Sequence, residues 1–180
     1  MKFTFRVARS APRWRHVLVT TVQTVLMWWA FLVFFPWAIW NLERGLNIPS
    51  WTTDGTFFIG LVGLVSGSIL GLWSSYTMAW VGAGTPLPMA TARHLVIKGP
   101  YRMVRNPMAI SGLVQGASIG LIIGSWLVLS GVVLGALVWH YWVRPAEEAD
   151  LAQRFGYEYQ HYCQHVHSWL PFFGGKRRQD

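Results

Sequence analysis

The sequence predicts an all-α fold: a polytopic membrane bundle of about four transmembrane helices. The third and fourth fold back on each other as a hairpin, and a cytosolic helix follows at the C-terminal end. Three observations carry this prediction. Of 180 residues, 53% are hydrophobic and only 12% charged, where a soluble domain carries about 25% charged. Long uncharged stretches recur along the chain. The basic residues, 15 against 7 acidic, gather on one side of those stretches.

Residues 17–40 hold no charge and match one bilayer crossing of about 20 residues. They are too long for the apolar part of a cleaved signal, about 7–15 residues, and they carry Trp28, Trp29, Phe34, Phe35, Trp37 and Trp40. The stretch therefore reads as a permanent span. Residues 56–81 make the second. Residues 107–143 are also free of Asp, Glu, Lys and Arg. As one helix they would reach about 55 Å against a hydrocarbon core of about 30 Å. They must turn back, and Gly124-Ser125 is the natural place. The spans are then 17–40, 56–81, 107–123 and 126–143. The wider organisation reads as a basic N-terminus (1–16), two spans (17–81), a core (82–173) and a basic tail (174–180).

Every Lys and Arg except Arg44 lies before the first span, between the second and third, or after the fourth. The positive-inside rule makes that side cytoplasmic, so both termini and the 82–106 loop face the cytosol. Trp37, Trp40 and Trp51 mark one interface, and Trp80, Trp139 and Trp142 the other. The basic surplus is thus topology and attraction to membrane lipids, and no nucleic-acid partner is expected. A single cysteine, Cys163, permits no internal disulfide.

Glycines recur at intervals of four: 63, 67 and 71; 112, 116, 120 and 124; 131 and 135. Each set forms a stripe that lets helices approach closely. Contact within one bundle is the expected use, and a dimer face the alternative, so the chain is a monomer or a weak dimer. The spans contain no Asp, Glu, Lys or Arg, which argues against a pump or proton relay. His140, one turn before Arg144, reads as interfacial.

Polar chemistry concentrates in two stretches. In the first, 82–107, four prolines and three glycines shape a loop. Pro107 starts the third span, and Asn106 falls at its N-cap, where a side chain that accepts from first-turn amides is favoured. Those amides suit an anionic ligand group. In the second, Pro145 starts a helix whose first turns hold Glu147, Glu148 and Asp150. Leu151, Phe155, Tyr159, Tyr162 and Val166 form its apolar stripe. His161, Cys163, His165 and His167 offer zinc-type donors, but residues two apart on one helix do not converge on one ion. No metal is expected.

Together, Lys98-Gly-Pro-Tyr-Arg-Met-Val-Arg-Asn-Pro-Met108 and the later Glu147-Glu148, Leu151, Phe155-Gly156, Tyr159, Tyr162 and Pro171 resemble the isoprenylcysteine carboxyl methyltransferase and phospholipid methyltransferase superfamily. The resemblance spans about residues 82–173. It implies an integral membrane enzyme that moves a methyl group from S-adenosylmethionine to a lipophilic acceptor entering from the bilayer: an isoprenylcysteine-like carboxylate, a thiol or a lipid amine. By resemblance, Arg93, His94, Leu95 and Val96 wrap the cofactor. Tyr101 contacts it, and Asn106, Pro107, Met108 and Ala109 form the family's turn. Glu147 holds the cofactor, and Arg144 is the catalytic, acceptor-side arginine. The family's usual Tyr is Ala109 here. A sterol-type NADPH-dependent membrane reductase and a non-catalytic scaffold or transporter are the alternatives.

The topology has a direct test. In a chain with Cys163 replaced by Ser, a cysteine introduced at Thr53 should react with an impermeant maleimide from outside the cell. One at Gly175 should react only from the cytosol. The reverse pattern would place the 82–106 loop on the wrong side for a cytosolic cofactor.

Overall fold

The structure, a computed structural model, describes residues 8, 11–85 and 91–169. Lys2, Arg6, Arg9, Pro86, Pro88, Pro171, Gly175, Lys176, Arg177 and Arg178 lie outside the described residues, as does the basic tail at 174–180. Helix α1 (Arg13–Trp28) passes through a π-helical turn (Trp29–Phe34) into α2 (Phe35–Gly45) as one 33-residue run. Helix α3 (Asp54–Val81) follows, started by a capping box in which Thr53 and Thr56 satisfy each other's amides. Helix α4 (Pro107–Ile123) ends at Gly124, whose φ of 64° is the left-handed conformation that closes a helix at little cost. Ser125 then caps α5 (Trp126–Val138), its Oγ accepting from the Val128 amide at 3.0 Å. The hairpin turn sits where the glycine–serine pair predicts it.

The C-terminal helix departs from expectation. Pro145 does not begin a separate element, because α5 continues through a second π turn (Trp139–Val143) into α6 (Arg144–His165). The 40-residue run 126–165 would measure about 60 Å, twice a bilayer core. Only its apolar part, 126–143, suits lipid, and α6 projects beyond it beside the 91–106 segment. Among the described residues, three runs, Arg13–Gly45, Asp54–Val81 and Trp126–His165, are long and apolar enough to cross a membrane. Helix α4 has 17 residues and is shorter than such a span.

Helices α3 and α4 make the most extensive contact in the bundle. A Cβ added at Gly60 would lie 2.8 Å from the Ser118 carbonyl, and one at Gly67 would lie 3.0 Å from Gln115 Cγ. The two backbones touch because these side chains are missing. Ser111 Oγ donates to the Gly67 carbonyl (2.8 Å) and Gln115 Nε2 to Ser68 Oγ (3.0 Å), across the same face. Gly116 and Gly120 pack instead against Val132 and Leu129 of α5. Gly112, Gly131 and Gly135 meet nothing within 4 Å of an added Cβ. At the far end, Glu43 of α2 is 4% exposed and accepts the Leu127 amide at 2.8 Å. That amide lies in the first turn of α5, where no helical carbonyl is available to it.

Both π turns end two residues before a proline, Pro36 in one run and Pro145 in the other. A proline offers no N–H to the carbonyl four residues back, and its ring crowds that carbonyl. Widening the preceding turn by one residue relieves both problems. The extra residue also resets the phase of each helix. Gln23, Met27, Phe31, Phe35 and Ile39 all line one cavity, as do Gly131, Gly135, Trp139, Glu147 and Arg154. In an unbroken α-helix, residues 131 and 147 would drift about 160° apart; one π insertion takes back about 100°. Glu147 and Arg154 therefore share the face of the α5 glycines.

This alignment predicts that deleting Tyr141, which is 65% exposed, turns α6 by about 100°. Cysteines replacing Ala92 and Arg154 should join through a short bismaleimide in the parent and fail to join in the deletion variant. Inserting one alanine after Val143 should restore the link. Unchanged cross-linking after deletion would show that the π turn does not set the phase.

Candidate functional site

The cavity, about 750 Å³, runs between α1, α4, α5 and α6, with the 91–106 segment closing one end. Its floor at membrane level is glycine and apolar side chains. Its polar end is assembled by α6, which grips the segment at three points. Arg154 pairs with Asp150 (2.5 Å) and donates from Nη1 to the Ala92 carbonyl (2.7 Å). Tyr162 donates its hydroxyl to the Tyr101 carbonyl at 2.6 Å. Arg105 reaches Glu148 (3.3 Å), Cys163 Sγ (2.7 Å) and Ser168 Oγ (2.5 Å), while its amide donates to the His167 carbonyl at 2.9 Å.

Gly156 has φ 49° and ψ −120° and kinks α6. The apolar stripe nevertheless holds together: Tyr159, Tyr162 and Val166 are buried, with Leu95, Leu151 and Phe155 packed against them. Ala92, Val96 and Tyr101 form a second cluster with Met78 and Val81 at the end of α3. The 91–106 segment is thus held between α3 and α6 by packing as well as by hydrogen bonds.

His94, Leu95, Val96, Tyr101, Asn106, Pro107, Met108, Ala109 and Glu147 all line the cavity; Arg93 and Arg144 do not. Arg93 is exposed, and its amide donates to the Gly82 carbonyl at 2.7 Å. Arg144 lies one turn before Glu147 and keeps a buried Nε without a partner. The arginines that do line the cavity, Arg105 and Arg154, are each paired with a carboxylate. Arg105 stands in the quoted motif, and Asp150–Arg154 has the four-residue spacing of a helical ion pair. Both signals were present in the sequence, but nothing in it showed which way they face.

Asn106 occupies the N-cap position of α4 without capping it. Its ψ of 58° lies outside the extended range typical of capping residues, so the carboxamide does not serve the first-turn amides. Its Nδ2 is buried without a partner, as are the Tyr101 hydroxyl and Thr85 Oγ1. All three residues line the cavity. A buried polar atom left unpaired costs about 1–3 kcal/mol, and three around one space describe a ligand site rather than a packing fault.

Burial pushes the Tyr101 phenol far above its usual range, with Tyr162 and then Glu147 adding to the shift, so it stays neutral and can donate. Glu147 projects from α6 just beyond the apolar run. Burial, then Glu148, then Asp150 raise its carboxyl to about 7. An anion held so reluctantly is poised to accept hydrogen bonds from a ligand, or to pair with its cation. The site thus combines a neutral phenol, a carboxamide donor, a carboxyl that titrates near neutrality and a helix start formed by Pro107, Met108 and Ala109, with an apolar groove leading away.

Comparison with known proteins agrees with this architecture. A family model described as phospholipid methyltransferase matches residues 55–158. A probable protein-S-isoprenylcysteine O-methyltransferase of Oryza sativa subsp. indica is 32% identical over 123 residues, covering 64% of this chain and 61% of the rice protein. Protein-S-isoprenylcysteine O-methyltransferase B of Arabidopsis thaliana is 28% identical over 166 residues, covering 88% of this chain and 75% of that protein. The solved structure of the eukaryotic intramembrane Ras methyltransferase ICMT matches with a TM-score of 0.57 at 21% identity, over 83% of this chain and 54% of that chain, and so supports the fold. The chain spans about three fifths of the length of the rice relative and about half that of the solved structure. With more than half its residues inside the matched region, this integral membrane chain belongs to the phospholipid methyltransferase family.

Proposed function

We propose that this protein transfers a methyl group from S-adenosylmethionine to a lipophilic acceptor, the favoured acceptor being an isoprenylcysteine-like carboxylate. The observation that carries the reading is that Tyr101, Asn106 and Glu147, distant in sequence, line one cavity with the α4 start. Their unsatisfied groups fit the donor molecule. Glu147 accepts from its ribose diol or ammonium. Asn106 and Thr85 offer hydrogen bonds to its polar edges. The Tyr101 ring stacks on adenine or faces the sulfonium through its π system. Bound there, S-adenosylmethionine supplies an electrophilic methyl on a sulfonium.

The remaining contribution of the chain is alignment and dryness. Methyl transfer is an in-line displacement, so holding acceptor and sulfonium in register supplies much of the rate. A carboxylate or thiolate acceptor needs no dedicated base. Arg105 and Arg154 are already paired; Arg144, with a buried Nε that has no partner, stands outside the cavity lining and contacts an acceptor carboxylate only if its side chain turns inward. Lipophilic acceptors reach the cavity from the bilayer, and the polar end opens toward the cytosol. Ala109 leaves room where the family's usual Tyr would stand.

Calorimetry of the purified protein with S-adenosylhomocysteine tests the reading. Binding is expected, and Glu147→Gln should weaken it by about tenfold or more, the loss of a charge-assisted hydrogen bond. The carboxylate form prevails above about pH 7, so affinity should rise with pH through that value and level off. Below it, affinity should fall by up to roughly tenfold per pH unit. The unliganded protein should show the opposite sign, since protonation relieves the burial of Glu147 and favours the fold as pH falls. No binding, or an affinity and pH profile unchanged in Glu147→Gln, would overturn the assignment.

A further inference from the structure

We infer that Gly112, Gly131 and Gly135 are the specificity-determining residues of an acceptor-tail groove, setting the length of apolar chain that the protein accepts. This deepens the proposed function and rests on it.

Small residues in membrane helices ordinarily mark where helices touch. The glycines of α3 do that, as do Gly116 and Gly120 of α4. These three do not: an added Cβ would find nothing within 4 Å, and all three line the cavity. They keep space open between α4 and α5 instead of closing it. All three are exposed along that groove, so it opens sideways toward lipid. Phe31, Leu32 and Phe35, around the π turn of the first helical run, face it from the other side.

A second observation shows that the space is made for a ligand. The Tyr101 hydroxyl and Thr85 Oγ1 line the same cavity at its polar end without partners, on residues 5% and 3% exposed. With the methyl donor satisfying the polar end, the apolar tail of an acceptor has one direction in which to lie, along the face that runs from Trp139 to the α5 glycines.

The geometry is that of a ruler. Gly135 lies twelve residues before Glu147, about 18 Å along the helix, and Gly131 about 24 Å. The two are one turn apart, comparable to the length of one isoprene unit. A side chain at Gly135 should therefore block the groove one turn nearer the polar end than a side chain at Gly131 does. Because the space is empty, Leu at either position meets no neighbour at Cβ, and replacing glycine favours the helix.

The test uses N-acetyl-S-geranyl-, S-farnesyl- and S-geranylgeranyl-cysteine as probes. Their binding to nanodisc-embedded protein loaded with S-adenosylhomocysteine is measured by calorimetry. Gly131→Leu should weaken the geranylgeranyl probe by about tenfold or more relative to the geranyl probe, the scale of a poorly accommodated apolar group. Gly135→Leu should weaken farnesyl and geranylgeranyl together. Gly112→Leu, from the facing helix, should reproduce the Gly135 pattern without touching α5. Affinity for S-adenosylhomocysteine should persist in all three variants. If that affinity persists while the length profile matches the parent in every variant, or if the parent binds none of the probes, the tail groove is overturned and the cofactor site stands. If the parent fails to bind S-adenosylhomocysteine, the function itself falls.

Discussion

A straight α-helix cannot keep residues spaced by four on one face for long, because each step of four drifts by about 40°. This protein needs such a face twice, across both lipid and aqueous depth, and the phase of two long helices is the constraint on which the rest depends. The π turns at 29–34 and 139–143 satisfy it. Without the second, the glycine face of α5 and the carboxyl of Glu147 would look in different directions, and no single cavity would join a lipid-level groove to a polar end. The prolines that follow each turn supply the local cause, since they remove the hydrogen bond that an ordinary turn would have kept.

Given that phase, the polar end is held by a few strong contacts rather than by a large core. Apart from a 3-10 turn at Gly99–Arg102, the 91–106 segment is largely irregular. It is fixed because α6 offers Arg154, Tyr162 and the Glu148–Arg105 pair to its carbonyls and side chains. The opposite end of the bundle follows the same logic. Ser50 donates to the Ile123 carbonyl at 2.8 Å, and Glu43 takes the Leu127 amide. Helix ends that would otherwise leave backbone groups unsatisfied are closed by side chains from α2 and from the connection that follows it, as membrane surroundings demand.

Glycine serves two opposite purposes in this bundle. On α3 it removes volume so that α4 can press backbone against backbone, with Ser111 and Gln115 bonding across. At Gly112, Gly131 and Gly135 it removes volume and nothing moves in. The sequence shows the same four-residue stripe in both cases. Which stripe closes a contact and which holds a space open depends on how far apart two particular helices are held, a distance determined by other residues.

Much of the protein was legible from its residues. The long uncharged stretches mark the apolar runs because burying charge in lipid is expensive. Gly124-Ser125 marks the hairpin because a left-handed glycine followed by a capping serine can end one helix and start the next. The pairing of the Lys98–Met108 motif with Glu147 pointed to one site because those chemical groups make sense only together. Tertiary structure alone decided the remainder: that Pro145 lies within a continuous helix, that Asn106 turns from its cap into the cavity, and that Arg105 and Arg154 rather than Arg93 and Arg144 line it. The physical reason is common to all of these. Residue type and spacing determine what a local segment can do, but the direction of a side chain depends on helix phase and on partners far along the chain.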